Sequence, residues 1–335
     1  MGSFLRFSLA IDRAAMAPRL GTLGVALGLV LAAPAPAFAG PLAKALDHLA
    51  ARQDPVAGGF AEVGGTDPTY SAWGALAVAG AGESAARWRS GLATLRDAVS
   101  APLRRPTLGE IELAAVAAAA AGVDPRSVGG RNTVRAVLAA QRADGSIGGS
   151  PATTAWGILA LRAGGLDRKA RAVRRARGAL IRQQNRDGGW STGPESPGSG
   201  PNTTSAAVQG LWAAGARLEA PSELERASSL QRARDFLVRA QNADGGFGPV
   251  VGGTTQALTT AWVAVALHTM GEDPERPPWS RSGGPLEALR DMQLANGGVR
   301  NERSSSSASV WATSQAALAF ARGPLPLGPR PLRPI

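Results

Sequence analysis

The sequence predicts an all-α protein in which six helical hairpins close into a ring, and three observations lead there. A Gly-rich turn recurs along the chain, two helical patterns of different character flank each copy, and the hairpins number six. The 335 residues are 44% hydrophobic and 18% charged, so a large core can form. Ala and Gly supply much of the apolar content and aromatics make up 5%. Small side chains suit closely packed helices better than a sandwich of β-branched and aromatic strands.

The turn is clearest in Gln184-Asn185-Arg186-Asp187-Gly188-Gly189-Trp190 and Gln241-Asn242-Ala243-Asp244-Gly245-Gly246-Phe247. Gln141-Arg142-Ala143-Asp144-Gly145-Ser146-Ile147 and Gln293-Leu294-Ala295-Asn296-Gly297-Gly298-Val299 are weaker copies. The first copy is stretched, from Gln53-Asp54-Pro55 to Gly58-Gly59-Phe60. From Gln141 onward the copies stand 43 to 57 residues apart, the length of a helical hairpin. Paired glycines let the backbone take positive φ, and the Asp is suited to capping amides that open the next helix.

Before each turn runs an amphipathic, Arg-rich segment, predicting outer helices near 41–53, 84–100, 125–141, 167–184, 221–241 and 284–294. After it comes an Ala-rich segment led by Thr or Ser, with Trp near its start, as in Thr69–Gly80, Thr153–Gly164, Thr259–Gly271 and Ser307–Arg322. These predict inner helices near 67–80, 107–122, 152–165, 202–216, 256–271 and 306–321, with the leading Thr or Ser as N-cap and Gly as C-cap. Hairpin two keeps only Pro102-Leu103-Arg104-Arg105-Pro106 in its turn. Neither end shows a polar capping repeat of the kind an open solenoid needs, so the six units are expected to close as one domain.

Residues 1–39 read as a secretory signal: Arg6, Arg13 and Arg19 precede the apolar run Leu23–Ala33, and Ala37-Phe38-Ala39 sets up cleavage before Gly40. Met16 is an alternative start, and an uncleaved N-terminal anchor is the other reading of this segment. The ring is expected over 40–322, in a secreted protein that is not integral to a membrane once the signal is removed. The Pro-rich end, 323–335, is expected to be a disordered tail.

The formal charge is +11. Its densest cluster, Arg168, Lys169, Arg171, Arg174, Arg175 and Arg177, covers most of a helix surface and reads as a solvated outer face. No zinc-finger, RNA-recognition or basic-zipper pattern accompanies it, so no nucleic-acid partner is expected. The absence of Cys removes disulfides, thiolate zinc sites and thiol nucleophiles.

The Gln-x-x-Asp-Gly-Gly-Trp/Phe turn, set between an outer helix and a Thr/Ser-x-x-Trp inner helix, resembles the repeat of the terpenoid cyclase and protein prenyltransferase superfamily over about 41–322. The resemblance implies the α/α toroid. It implies no activity by itself, because the superfamily spans cyclases, prenyltransferase β-subunits, thioester domains, cobalamin carriers and some polysaccharide lyases. The Asp-x-Asp-Asp run by which class II cyclases protonate their substrate does not occur here. With His48 and His268 but no Cys, the Asp/Cys/His zinc site of prenyltransferases cannot be assembled in its usual form, and the Gly-Cys-Gly-Glu-Gln thioester is excluded. Neither a metal nor a cofactor is expected, and each His reads as a helix-end cation.

Aligning the inner helices places Trp73, Trp156, Trp262 and Trp311 at equivalent positions, with Leu113 and about Ala206 in the gaps. The spacing leaves two facings open. Each indole packs between its own inner and outer helix, or the four form an aromatic layer round a central pocket suited to an isoprenoid, a flat apolar ligand or a sugar face. Tyr70, Gln209 and Gln315 are polar candidates near that layer. Asp67, Glu110 and Glu112 are the candidate acids. Asp67 reads first as a cap beside Pro68, and Glu110 and Glu112, two apart, point to different sides of one helix. A Glu inside an apolar cavity has a raised pKa and is suited to act as an acid.

The expected function is therefore a non-catalytic toroid binding a hydrophobic or amphipathic small molecule, or a protein partner. The alternatives are a cyclase-like or prenyltransferase-like enzyme with a non-standard acid and, behind it, a polysaccharide lyase using Tyr70.

Overall fold

The computed structural model describes residues 40–193, 196–218 and 228–328; the expected signal segment and residues 329–335 lie outside them. Among the described residues twelve α-helices make six hairpins. The outer members are α1 (Pro41–Arg52), α3 (Leu95–Val99), α5 (Thr133–Ala139), α7 (Arg171–Arg182), α9 (Ser229–Ala240) and α11 (Gly284–Asp291). The inner members are α2 (Pro68–Gly80), α4 (Leu108–Ala120), α6 (Pro151–Ala163), α8 (Pro201–Ala213), α10 (Ala257–Met270) and α12 (Val310–Phe320). A short antiparallel ribbon, β1 (Ser191–Gly193) and β2 (Ser196–Ser199), precedes α8.

Each inner helix packs on the next, and α12 packs back on α2 and α1, so the ring closes. The Ala-rich composition permits this. In α4 every residue from Ile111 to Ala120 is buried, and a Cβ on Gly210 of α8 would lie 3.0 Å from the Ala155 carbonyl oxygen of α6. Outer helices bury one stripe only. In α7 that stripe is Val173, Ala176, Ala179 and Leu180, with the arginines turned away.

The turn signature holds neighbouring hairpins together. Gln184 Nε2 donates to Gly188 O of its own turn (2.7 Å) and to Ser229 O at the start of the next outer helix (2.8 Å). Gln141 bridges Gly145 O and Ala172 O in the same way, and Gln241 bridges Gly245 O and Trp279 O. In the stretched copy Gln53 reaches Gly58 O and Trp88 O. At the seam Gln293 donates to Gly297 O and Pro41 O, both at 2.9 Å, joining the last hairpin to the first. Glu62 adds to the seam by accepting the Val310 amide at 3.0 Å. The first glycine of the turn is required twice over: Gly188 has φ +92°, and a Cβ there would meet the Arg232 carbonyl oxygen at 2.3 Å.

The last signature residue is the turn's anchor. Phe60, Ile147, Trp190, Phe247 and Val299 are all fully buried. Their amides donate to Ser71, Thr154, Thr204, Thr260 and Thr313 hydroxyls on the inner helix that follows.

Several local expectations are corrected. Of the leading Thr residues Thr107 caps its inner helix as expected, while Thr69, Thr153 and Thr259 do not. Asp67, Ser150 and Ser309 cap α2, α6 and α12, while α8 and α10 start without a side-chain cap. The turn carboxylates serve the turn itself, Asp187 and Asp244 accepting the Gly189 and Gly246 amides. Outer helix two is one turn long, because Leu92 N donates to Pro55 O and the capping box of Thr94 with Asp97 starts the helix only at Leu95. Outer helix three starts at Thr133, after the positive-φ pair Gly129-Gly130 and the Asn132 cap. The Pro-rich end is packed as far as Leu325, which is buried, and Leu327, which rests on the core. The histidines are not helix-end cations: burial, more than neighbouring charge, lowers the pKa of both His48 and His268.

If the glutamine clamp carries the ring, Gln241→Ala leaves two buried carbonyls without a donor and is expected to cost about 3 kcal/mol in urea unfolding. A loss below about 0.5 kcal/mol would remove the clamp from the account.

Candidate functional site

The four aligned indoles face the centre of the ring and meet there. Trp156 and Trp262 stack with centroids 5.3 Å apart and planes 2° from parallel. Trp73 stands edge-on to both, at 5.7 and 5.5 Å. Trp311 lies 6.5 Å from Trp73, and Tyr70 packs edge-on to Trp311 at 6.1 Å. Each such pair contributes about 1 kcal/mol beyond simple burial. Of the two facings open at the sequence level the central one is found: the indoles meet one another and form the floor of a central cavity. Trp73 and Trp262 are nearly sealed, at 5% and 3% exposure.

On this floor, among the N-terminal ends of the inner helices, sits a cavity of about 390 Å³, within the size range of small-molecule sites. All four indoles line it. So do Thr69, Thr107, Thr153, Asn202 and Thr203 towards the rim, with Leu113, Ala206, Gln315 and the carboxyl-bearing Glu110 and Glu112. Among the described residues the lining contains no Arg, Lys or His. Thr153 and Thr203 escape a search for charged and aromatic groups. Their signal is register: each stands three residues before an aligned position, Trp156 or Ala206, and so one helical turn nearer the mouth.

The candidate acids separate cleanly. Asp67 caps α2, its Oδ1 accepting the amides of Thr69 (2.7 Å) and Tyr70 (3.3 Å). Glu110 closes a capping box at the head of α4, accepting from the Thr107 amide (2.7 Å) and hydroxyl (2.8 Å). Those bonds from Thr107 hold its pKa below the ordinary carboxylate value. Glu112, half a turn on, is fully buried, and neither carboxyl oxygen has a hydrogen-bond partner. Burial alone pushes its pKa up to about 9, so it is a neutral acid at pH 7. Of the three, Glu112 is the one with proton-donor chemistry, and it stands in the wall of the cavity.

The remaining polar candidates divide. Gln315 lines the cavity; with its amide oriented by its neighbours it accepts from Trp311 Nε1 at 2.8 Å and donates to Leu258 O at 3.0 Å. Gln209 is buried outside the lining, its Nε2 donating to Ser205 O at 3.3 Å. Tyr70 buttresses Trp311 from outside the lining, and burial raises its phenol pKa. Among the described residues no cluster of three or more metal-ligating side chains forms.

No protein-family model and no curated protein sequence matches the chain. Its structure is similar to that of the type II terpene cyclase MstE from Scytonema, with a TM-score of 0.55 at 12% identity over 84% of this chain and 96% of that one. An unsaturated glucuronyl hydrolase from Bacillus sp. GL1 matches with a TM-score of 0.55 at 15% identity, over 84% and 95% of the two chains. The ent-copalyl diphosphate synthase from Streptomyces platensis matches with a TM-score of 0.51 at 19% identity, over 76% of this chain; the chain spans about half the synthase's length, 50%. At these identities the likeness is one of fold: the chain is an α/α toroid, as those enzymes are.

The state of Glu112 has a signature in stability. Its folded pKa of about 9 stands above the ordinary 4.5, so between those values the folded chain holds a proton that the unfolded chain has released. Wild-type stability is expected to fall as pH rises from about 5 to 9, by at most about 1.4 kcal/mol per unit. Glu112→Gln has no such proton and escapes that loss, so in urea unfolding at several pH values it should gain steadily on wild type above pH 5. Parallel profiles for the two proteins would mean that Glu112 is ionised in the fold.

Proposed function

We propose that this toroid binds an uncharged, largely apolar small molecule in the mouth cavity, seated on the indole floor beside the neutral carboxyl of Glu112. The observation that carries the reading is the composition of that wall. Four indoles, Leu113 and Ala206 offer apolar and aromatic contact, while hydroxyls and amides ring the rim. Among the described residues the lining has no cation to recognise a phosphate or carboxylate; Arg104 stands in the adjoining cleft beyond Glu110 and Leu113. Glu110 would repel either anion, since Thr107 holds it in its ionised form. An unpartnered buried carboxylic acid is a costly feature unless something accepts its hydrogen bond, and a ligand hydroxyl, ether or carbonyl oxygen in the cavity would do so once a side-chain shift uncovers the carboxyl, which is sealed in the unliganded wall.

The same residue favours a second reading, an acid-initiated reaction of the cyclase kind. A neutral Glu112 beside aromatic faces is suited to giving its proton to an alkene carbon or an epoxide oxygen, with the indole faces stabilising the cation that results. Binding is the common premise of both readings.

Export belongs to the same proposal and is supported by the pattern of residues 1–39. Secreted protein is expected to begin at Gly40 on N-terminal sequencing; retention of residues before it in the exported form would remove cleavage at that point.

Titrating the protein with neutral isoprenoids (squalene, oxidosqualene, geranylgeraniol), neutral oligosaccharides and geranylgeranyl diphosphate, read by indole fluorescence, separates the possibilities. A neutral ligand is expected to bind, and Trp156→Ala to weaken it at least about tenfold. Preference for the diphosphate would sink the uncharged-ligand reading. If product forms from squalene or oxidosqualene, Glu112→Gln should cut turnover by about a hundredfold or more while binding persists. Unchanged turnover in that variant would remove Glu112 as the acid.

A further inference from the structure

The chain's positive charge is concentrated in one place. Residues 125–186 hold thirteen Arg and Lys against two Asp, a surplus of eleven equal to that of the whole chain, so the remainder sums to zero. The two Asp face their own backbone: Asp144 Oδ1 accepts the Ser146 amide and Asp167 Oδ1 the Lys169 amide. Among the described residues one salt bridge occurs in this stretch, between Arg126 and Asp124 at 3.8 Å. The charge is therefore largely uncompensated.

It also forms one surface. Arg175 donates to the carbonyls of Arg142 and Ala143, and Arg182 to that of Asp144, which fixes the turn after α5 against α7. Both helices bury their apolar stripes inward and turn Arg135, Arg171 and Arg174 to solvent. The flank runs the length of α7, about 18 Å.

Two aliphatic side chains stand among these arginines. Leu138 on α5 is 39% exposed and Ile181 on α7 is 37% exposed. Leu138 follows Arg135 by one helical turn, and Ile181 lies two turns after Arg174 on the same outward face. A polyanionic chain such as nucleic acid offers such groups little. A bilayer interface offers headgroup phosphates to guanidinium groups and acyl chains to Leu and Ile together.

We propose that the outer flank of hairpins three and four is a peripheral docking surface for a membrane rich in anionic phospholipid. The cavity opens elsewhere, among the N-terminal ends of the inner helices, so docking by this flank and filling of the cavity are independent events.

The test is co-sedimentation of the full chain with vesicles of phosphatidylglycerol and phosphatidylcholine in equal parts, against phosphatidylcholine alone. Binding is expected to the anionic vesicles only, and to be lost at about 0.5 M NaCl as screening shortens the reach of the charges. Arg135→Glu/Arg171→Glu/Arg174→Glu should weaken it at least thirtyfold or so. The neutral triple, with Gln at the same positions, guards against misfolding and should weaken it about as much as three lost charges require. Leu138→Asn/Ile181→Asn should weaken it several-fold while leaving the salt dependence in place. Unchanged binding of the charge-reversed protein would overturn the proposal, and would point to residues 1–39. Tighter association with duplex DNA or with polygalacturonate than with the anionic vesicles would overturn it equally.

Discussion

Five glutamine amides set the geometry on which the rest of the molecule depends. Each donates one hydrogen to a glycine carbonyl in its own turn and another to a backbone carbonyl near the start of the next outer segment. A helix-ending loop carries orphan carbonyls that must find donors. Here a single side chain supplies donors to two hairpins at once, so satisfying the backbone and fixing the angle between neighbours are the same event. The positive-φ glycine at Gly188 completes the joint by letting that turn lie directly on the backbone of the next helix. Repeated round the chain, a fixed increment of rotation closes, and Gln293 on Pro41 is where it does.

Closure has consequences at the centre. Inner helices rich in Ala and Gly approach closely, and the lumen they enclose is narrow enough for indoles from α2, α6, α10 and α12 to touch. An open solenoid would spread those four positions along a concave face. The ring instead converts a repeated Trp into a plug, and the plug leaves the mouth cavity as the space above it. Glu112 is a by-product of the same packing: a position on the buried side of α4 that another Ala would fill has a carboxyl there, with no donor arranged for it. Structural packing explains the indoles. It does not explain the acid.

Repetition made the fold legible and did little for the site. The Gln, the first Gly and the buried apolar anchor recur at five of the six joints, so periodicity exposes the ring and its count of hairpins. Outer helices two and three were drawn too long because tertiary contacts decide where they start: Leu92 is drawn to Pro55, and Thr94 and Asn132 cap late. Thr153 and Thr259 do not cap because each helix begins earlier, and the hydroxyl that follows each of them accepts the amide of the buried turn residue, Ile147 or Phe247, which local spacing does not reveal. The facing of the indoles was undecidable, since equivalence by alignment carries no direction. The division between Glu110 and Glu112 was within reach, because Thr107-x-x-Glu110 spells a capping box and so leaves Glu112 as the residue without a local role.

A chain with 36 Lys and Arg might be expected to place some of them at its ligand site. None of those among the described residues lines the cavity, and the surplus gathers on one outer flank instead. The separation follows from the layered fold. Inner helices meet one another on two sides and the outer ring on a third, so a long cation there would be stranded without water or a partner, at a cost of several kcal/mol. Outer helices bury a single stripe and are free to carry charge on the rest. Glu112 is tolerated inside because a carboxyl, unlike a guanidinium, escapes that cost by keeping its proton. Arg162 is accommodated on α6 only in its last turn, where it donates to the Leu166 carbonyl, whereas Glu112, the one fully buried acid among the described residues, is in the state from which a proton can be given.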